Sequence, residues 1–132
     1  GGGADGSIVQ YPIETTYTEN VGLASSVPDI MDIVTRYNVT PGDALHFAAM
    51  VGDELCPGSP TFKFMAGRPP PKMVAKDGFV PSATDSVGKI LGRMNEAGFS
   101  ASDLVALLAS HSVGRADDVD PVIAGAPFDS TP

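Results

Sequence analysis

A long proline-rich segment in the middle of the chain constrains the fold more than any other feature. It reads CPGSPTFKFMAGRPPPKMVAKDGFVPSA and covers residues 56–83. Proline lacks a backbone N–H donor and fixes φ, so helices and central strands do not continue through such a stretch. The segment is also much longer than an ordinary connector. We therefore expect a functional loop with helices on both sides, in which residues 61–67 (TFKFMAG) pair as a short strand.

Outside this loop, helical spacing of apolar residues and helix start signals define four segments. These segments are residues 24–38, 40–55, 84–99 and 100–112. Pro28 suits a first helical turn, Thr40 suits an N-cap, and Gly98 is a stop signal. Ser100 and Asp103 have the spacing of a capping box, with Asp in place of the usual Glu. The predicted fold class is mainly α, with helices joined by long loops, and methionines 31, 50, 65 and 94 are expected to fill the core.

The charge balance excludes some classes of partner. The chain has 16 acidic and 8 basic residues and a net charge of −8. Nucleic-acid binding requires a cationic surface, so a nucleic-acid partner is not expected. No apolar run approaches the length of a membrane span, so a membrane partner is not expected either. The single cysteine, Cys56, is either a buried thiol or half of a disulfide whose partner is missing.

Both ends of the sequence have the character of loop interiors. The chain starts within a glycine cluster, GGGADGS, and finishes on a turn-rich stretch, PFDSTP. No internal repeat or domain boundary is visible. We therefore expect residues 1–132 to be a central fragment of a single, longer domain.

His111 lies at the end of an apolar helical face. Leu104, Leu107, Leu108 and His111 are spaced i, i+3, i+4 and i+7, so they share one side of a helix. One interpretation is a buried histidine bonded to a backbone carbonyl or a carboxylate. The other is an axial ligand to a haem iron that lies against this face.

Acidic residues near both ends of the chain suggest calcium. Asp5 and Ser7 lie two apart among glycines, and Asp129 and Thr131 have the same offset. Calcium takes six to eight oxygen ligands, which irregular loops supply. Such pairs are also common as local caps in turns. The charged run RADDVD (residues 115–120) is, by itself, typical of a solvated turn with an exposed ion pair.

Several motifs together, in order, resemble one family. They are GGGADGSI, IETTYTENVGL, NVTPGDALHFA, ELCPGSP, GRPPPK, LLASHSV and DPVIAGAPFDSTP. The chain resembles the secreted fungal class II haem peroxidases, the lignin-degrading class, from Gly1 to Pro132. The resemblance implies a mainly α haem peroxidase fold around haem b, with one calcium ion on each side of the haem.

The resemblance also assigns roles to individual residues. It implies that His111 is the proximal iron ligand, that Asn20 hydrogen-bonds the distal histidine, and that Glu14 supports this relay. The implied ligands of the distal calcium are Gly3, Asp5 and Ser7, and those of the proximal calcium are Ser112, Asp129 and Thr131. Cys56 would be half of a family disulfide with its partner outside residues 1–132. The distal histidine and arginine would lie before Gly1, so the fragment alone is expected to be inactive.

Within the family, the resemblance is strongest to manganese peroxidases. Asp117 follows His111 by six residues, and in those enzymes the aspartate that binds Mn(II) follows the proximal histidine by the same number. Arg115 matches the arginine that orients another manganese ligand. Mn(II) prefers oxygen ligands. Ala106 stands where the lignin-oxidising and versatile members carry a surface tryptophan, and the chain has no tryptophan. The implied activity is oxidation of Mn(II) to Mn(III) by hydrogen peroxide.

The implied partners are hydrogen peroxide, Mn(II), organic-acid chelators, and phenolic or lignin substrates. The implied protein is secreted, extracellular and monomeric. Separately, Asn38-Val39-Thr40 is a glycosylation sequon, although Pro41 follows it and Thr40 suits a helix cap. Two alternatives stay open. One is a generic low-potential peroxidase of the same family without a manganese site. The other is a calcium-binding helical module without haem.

Overall fold

Helices dominate the computed structural model, which describes residues 4–112, 114–116, 122 and 125–127. The α-helices are α1 (Ser7–Gln10), α2 (Val27–Tyr37), α3 (Pro41–Glu54), α4 (Val87–Glu96) and α5 (Ala101–Leu108). Short 3₁₀ turns cover Pro12–Thr16, Thr18–Asn20, Leu23–Ser25 and Ala109–Ser112. Two short strands, β1 (Arg115–Ala116) and β2 (Ala126–Pro127), pair antiparallel, with Arg115 opposite Pro127. The predicted mainly α fold class is confirmed.

Side-chain capping marks the start of three of the four long helices, α3, α4 and α5, whereas α2 has Pro28 in its first turn and no side-chain cap. The Thr40 hydroxyl accepts the Asp43 N–H at 3.3 Å at the start of α3. Ser100 and Asp103 form the full reciprocal capping box at the start of α5. At the other ends, Asn38 has φ 51° after α2 and Gly98 has φ 91° after α4, the left-handed conformation that ends helices. The four helices predicted from the sequence are therefore confirmed.

The chain divides into two compact units, of which the first covers Gly1–Asp77. In this unit α1 packs against both α2 and α3. The approach is close, because a Cβ on Gly6 would lie 2.5 Å from the backbone nitrogen of Gly42. Gly6 also has φ 73°, which other residues rarely adopt. Val9 and Ala44 are buried at this junction, at 2% and 4% exposure.

An apolar groove of about 680 Å³ runs along α2 and α3 in the same unit. It is lined by Ile33 and Tyr37 from α2, by Phe47 and neighbouring residues of α3, and by Phe64 from the loop. The rings of Phe47 and Phe64 meet edge to face with centroids 5.2 Å apart. The proline-rich loop is therefore packed onto α3 by aromatic contacts.

The strand predicted for residues 61–67 is wrong, because side-chain carboxylates accept the backbone N–H groups there. Glu54 accepts the N–H of Phe62 at 2.9 Å, and Asp43 accepts those of Gly67 and Arg68 at 2.7 and 3.2 Å. The loop is thus fixed by acids of α3 rather than by a second strand. Met65, predicted to fill the core, is 78% exposed, so that prediction is also wrong.

The second unit covers Gly78–Pro132, and within it α4 packs against α5. Arg93 of α4 donates to the Phe79 carbonyl at 2.8 Å, and its guanidinium lies over the Phe79 ring, 4.8 Å from the centroid. Arg93 therefore holds the segment entering this unit against α4. In the described part of the chain, no helix is both long and apolar enough to cross a membrane.

Candidate functional site

The carboxylate of Glu14 lies at the centre of a buried polar cluster in the first unit. Glu14 belongs to the turn Pro12–Thr16 and is only 3% exposed. Its Oε2 accepts a hydrogen bond from the Ser7 hydroxyl at 3.0 Å, and its Oε1 accepts one from the Ala75 N–H at 2.7 Å. Both oxygens of this buried carboxylate are therefore bonded, as a buried charge requires.

The backbone carbonyl of Glu14 holds the side chain of Asn20. The Asn20 amide donates from Nδ2 to this carbonyl at 2.8 Å. Two consecutive 3₁₀ turns, Pro12–Thr16 and Thr18–Asn20, bring the residues within reach of each other. Because the nitrogen end of the amide is occupied, its oxygen end is oriented as an acceptor for a further donor. The two residues predicted to act in a distal relay are thus directly linked.

Asp5 and Ser7, two of the three predicted ligands of the first calcium ion, lie beside this cluster. Asp5 Oδ1 accepts the backbone N–H of Ser7 at 3.1 Å, which is the local turn that such pairs often form. The Ser7 hydroxyl meanwhile donates to Glu14. The third predicted ligand, Gly3, lies outside the described residues. Among the residues that are described, no group of three or more His, Cys, Asp or Glu side chains has metal-site geometry.

Ala75 and Tyr17 also belong to the cluster, although no sequence motif marks them. The Tyr17 hydroxyl donates to the Ala75 carbonyl at 2.9 Å, beside the bond between Glu14 and the Ala75 N–H. These contacts connect positions 58 and 61 residues apart. No local pattern signals such long-range pairing, so only the folded chain shows it.

A second polar cluster fixes the loop to the start of α3. Asp43 accepts three N–H groups, two from the backbone of Gly67 and Arg68 and one from Arg68 Nη1 at 3.0 Å. The hydrogen bond from the Gly67 backbone, together with those from Arg68, lowers the pKa of Asp43. Burial, together with the charge of Arg68, lowers the pKa of His46. His46 is partly buried one turn along α3.

His111 lies in the second unit, at the surface. It follows α5 in the 3₁₀ turn Ala109–Ser112, and the Ser110 hydroxyl is 3.4 Å from His111 Nδ1. The interpretation as a buried core histidine is wrong, because His111 is exposed. Leu107 and Leu108, on the same predicted face, are 52% and 49% exposed. An apolar surface therefore adjoins the imidazole.

The remaining predicted site residues receive little or no structural description. Asp117, Asp129 and Thr131 lie outside the described residues, and only the backbone is described for Ser112 and Arg115. Cys56, by contrast, is described. Its thiol is free and half-buried, 4.0 Å from the Gly52 carbonyl. Its predicted disulfide with a cysteine outside residues 1–132 stays a prediction.

Comparison with known proteins connects these features to one family. The profile of the family described as peroxidase matches residues 1–126. Over its whole length the chain is 47% identical to manganese peroxidase 2 of Phlebia radiata and 46% identical to ligninase H2 of Phanerodontia chrysosporium. It is 45% identical to a low-redox potential peroxidase of Taiwanofungus camphoratus. The chain spans 35%, 36% and 40% of the lengths of these relatives, respectively.

Proposed function

Since the chain belongs to the peroxidase family, we propose that it forms part of the catalytic domain of a secreted fungal haem peroxidase that oxidises Mn(II) to Mn(III) with hydrogen peroxide. The observation that carries this proposal is the bond between the Asn20 amide and the Glu14 carbonyl at 2.8 Å. It orients an amide oxygen that can accept an N–H from a catalytic histidine, which would keep the other ring nitrogen unprotonated. A histidine prepared in this way is a general base for peroxide.

The residues around His111 fit a haem. A histidine-ligated haem needs apolar surface against its faces and an imidazole for its iron. His111 is exposed, and the exposed Leu107 and Leu108 provide apolar surface on the same segment. The haem supplies, when bound, the redox centre that accepts oxidising equivalents from peroxide. In this proposal the His111 imidazole would bind the haem iron, and the 3₁₀ turn Ala109–Ser112 would hold it there.

Asp117 is the proposed manganese ligand within this chain. A carboxylate is a suitable donor for Mn(II), which prefers oxygen. Arg115 would orient a neighbouring carboxylate of the same site. The match to a relative named manganese peroxidase supports this assignment. Ala106 also supports this assignment. It stands where the lignin-oxidising and versatile members carry a surface tryptophan, and an alanine cannot take part in electron transfer. Mn(III), chelated by organic acids, would then oxidise phenols and lignin away from the protein.

Two calcium ions are proposed to hold the two sides of the site. Gly3, Asp5 and Ser7 would bind one, and Ser112, Asp129 and Thr131 the other, as hard oxygen donors in loops. Ser7 already contacts Glu14, so an ion at Ser7 would stabilise the segment that carries Asn20. Ser112 is adjacent to His111, so an ion there would fix the imidazole. Secretion accords with the net charge of −8 and would permit the predicted disulfide of Cys56.

The proposal is tested by Asp117→Ala in the full-length, haem-loaded protein, with the adjacent Asp118→Ala as a matched control. We expect Asp117→Ala to raise the KM for Mn(II) and lower Mn(II) turnover, while oxidation of a small phenol by peroxide is retained. Asp118→Ala should behave like the parent for both reductants. Loss for one reductant only identifies a damaged binding site rather than a damaged fold. Unchanged Mn(II) kinetics in Asp117→Ala would contradict the manganese assignment.

The second candidate is a generic low-potential peroxidase without a manganese site. The match to a relative named low-redox potential peroxidase favours it. In that case the parent oxidises phenols with peroxide but shows no saturable Mn(II) oxidation. The non-catalytic calcium module makes a different prediction, since the full-length protein would then have no haem absorption band and His111 would be dispensable.

A further inference from the structure

Both backbone polar groups of Ala75 are held by side chains from one short segment of the relay. Glu14 Oε1 accepts the Ala75 N–H at 2.7 Å, and the Tyr17 hydroxyl donates to the Ala75 carbonyl at 2.9 Å. The N–H belongs to the peptide before the Ala75 Cα and the carbonyl to the peptide after it. The two bonds together therefore restrain both backbone dihedrals of Ala75, which neither does alone.

Tyr17 lies between the two relay residues and is bonded to both. Its backbone N–H donates to the Glu14 carbonyl at 3.2 Å, and its own carbonyl accepts the Asn20 N–H at 2.9 Å. The Asn20 amide donates to the same Glu14 carbonyl at 2.8 Å. A rotation of the segment at Tyr17 would therefore move the carbonyl on which the Asn20 side chain depends.

We propose that Tyr17 is a positioning residue for Asn20. Its hydroxyl ties the relay turns to Ala75 in the proline-rich loop, and this tether fixes the orientation of the Asn20 amide. A phenylalanine at this position would fill the same space but would leave the Ala75 carbonyl without this donor. The inference deepens the proposed function and rests on it, because positioning matters only if Asn20 acts in the peroxide reaction.

The test compares Tyr17→Phe with Tyr37→Phe in the full-length, haem-loaded protein with calcium present. Tyr37 is a suitable control because it is 66% exposed and remote from the relay in sequence. The first measurement is hydrogen exchange of peptides covering residues 14–20 and 72–76. The second is the rate of reaction with hydrogen peroxide across a range of pH, together with the KM for Mn(II).

In Tyr17→Phe, we expect exchange in both peptides to accelerate about threefold to tenfold, the effect of one neutral hydrogen bond. The peroxide reaction should slow by a similar factor and its pH profile should shift, because the catalytic histidine loses a fixed acceptor. The KM for Mn(II) should stay unchanged, and Tyr37→Phe should match the parent throughout.

Two results overturn the inference while leaving the proposed function intact. Unchanged exchange in Tyr17→Phe means that the tether is absent. Faster exchange with an unchanged peroxide rate and pH profile means that the tether supports the fold only. A parent protein that does not react with peroxide overturns the proposed function, and the positioning role with it. The exchange measurement still decides in that case whether the tether exists.

Discussion

Replacing Glu14 should destabilise the protein in a way that depends on what replaces it. The side chain is 3% exposed and accepts hydrogen bonds from the Ser7 hydroxyl and the Ala75 N–H. Glu14→Ala leaves both donors without this acceptor, at about 1–3 kcal/mol each, so we expect a loss of about 2–6 kcal/mol before any cavity cost is added. Glu14→Gln can still accept from Ala75 and donate to Ser7, so it should cost only about 1 kcal/mol.

The assay is guanidinium unfolding of the full-length protein with calcium present, followed by circular dichroism. Glu19→Gln is the matched control, because Glu19 is exposed on the neighbouring turn and should change the free energy of unfolding by less than about 0.5 kcal/mol. The order of stability should be parent, then Glu14→Gln, then Glu14→Ala. If Glu14→Ala and Glu14→Gln are equally stable, the two hydrogen bonds do not hold the cluster and the reasoning is refuted.

Two further predictions concern metal and pH. Chelation of calcium from the full-length protein should lower the Tm and slow peroxide turnover, both recovering when calcium returns, whereas metal analysis finding no calcium would contradict the two sites. Burial lowers the pKa of His46, while hydrogen bonds lower the pKa of Asp43 and of Asp103. On acidification, each of these three groups is therefore protonated at a higher pH in the unfolded chain than in the folded protein. The stability that the groups provide is fully present above their ordinary pKa values. It is lost as pH falls, first at His46 and then at the aspartates. Asp43→Asn should flatten the acidic part of the Tm-versus-pH curve, and a curve parallel to that of the parent would contradict this role.

The helices could be predicted from the sequence because their signals are local. Thr40 and Asp43 are three residues apart, as are Ser100 and Asp103, and each pair forms the predicted cap. Helix periodicity and capping chemistry act within one or two turns. The residues that specify a helix therefore lie within the helix or directly beside it in the sequence.

The conformation of the loop could not be predicted, because distant residues determine it. Residues 61–67 contain apolar side chains typical of a strand, but Asp43 accepts the N–H of Gly67 from 24 residues away. Among the described residues, the Asp43 carboxylate bonds to no neighbour in sequence, so no local pattern predicts which backbone N–H groups it accepts. The apolar character of Met65 likewise predicts a core position, yet the loop leaves this side chain exposed to solvent.

The candidate site was predictable in part, and mainly through resemblance. Resemblance at the motif IETTYTEN predicts roles for Glu14 and Asn20, and the structure links the two residues by a hydrogen bond at 2.8 Å. Their catalytic roles stay predictions, as do the ligand sets that extend outside the described residues. Tyr17 and Ala75 could not be found in advance, because their contact joins two segments 58 residues apart.

The central claim, that this chain holds a haem, is tested most directly by the iron coordination of three full-length proteins. The three proteins are the parent, His111→Ala and His46→Ala. Each variant removes one of the 2 histidines of the chain. We predict that the absorption and resonance Raman spectra of the parent and His46→Ala show a five-coordinate, histidine-ligated ferric haem. His111→Ala should lose this signature and regain it on addition of free imidazole. A histidine-ligated spectrum that is unchanged in His111→Ala would contradict the account.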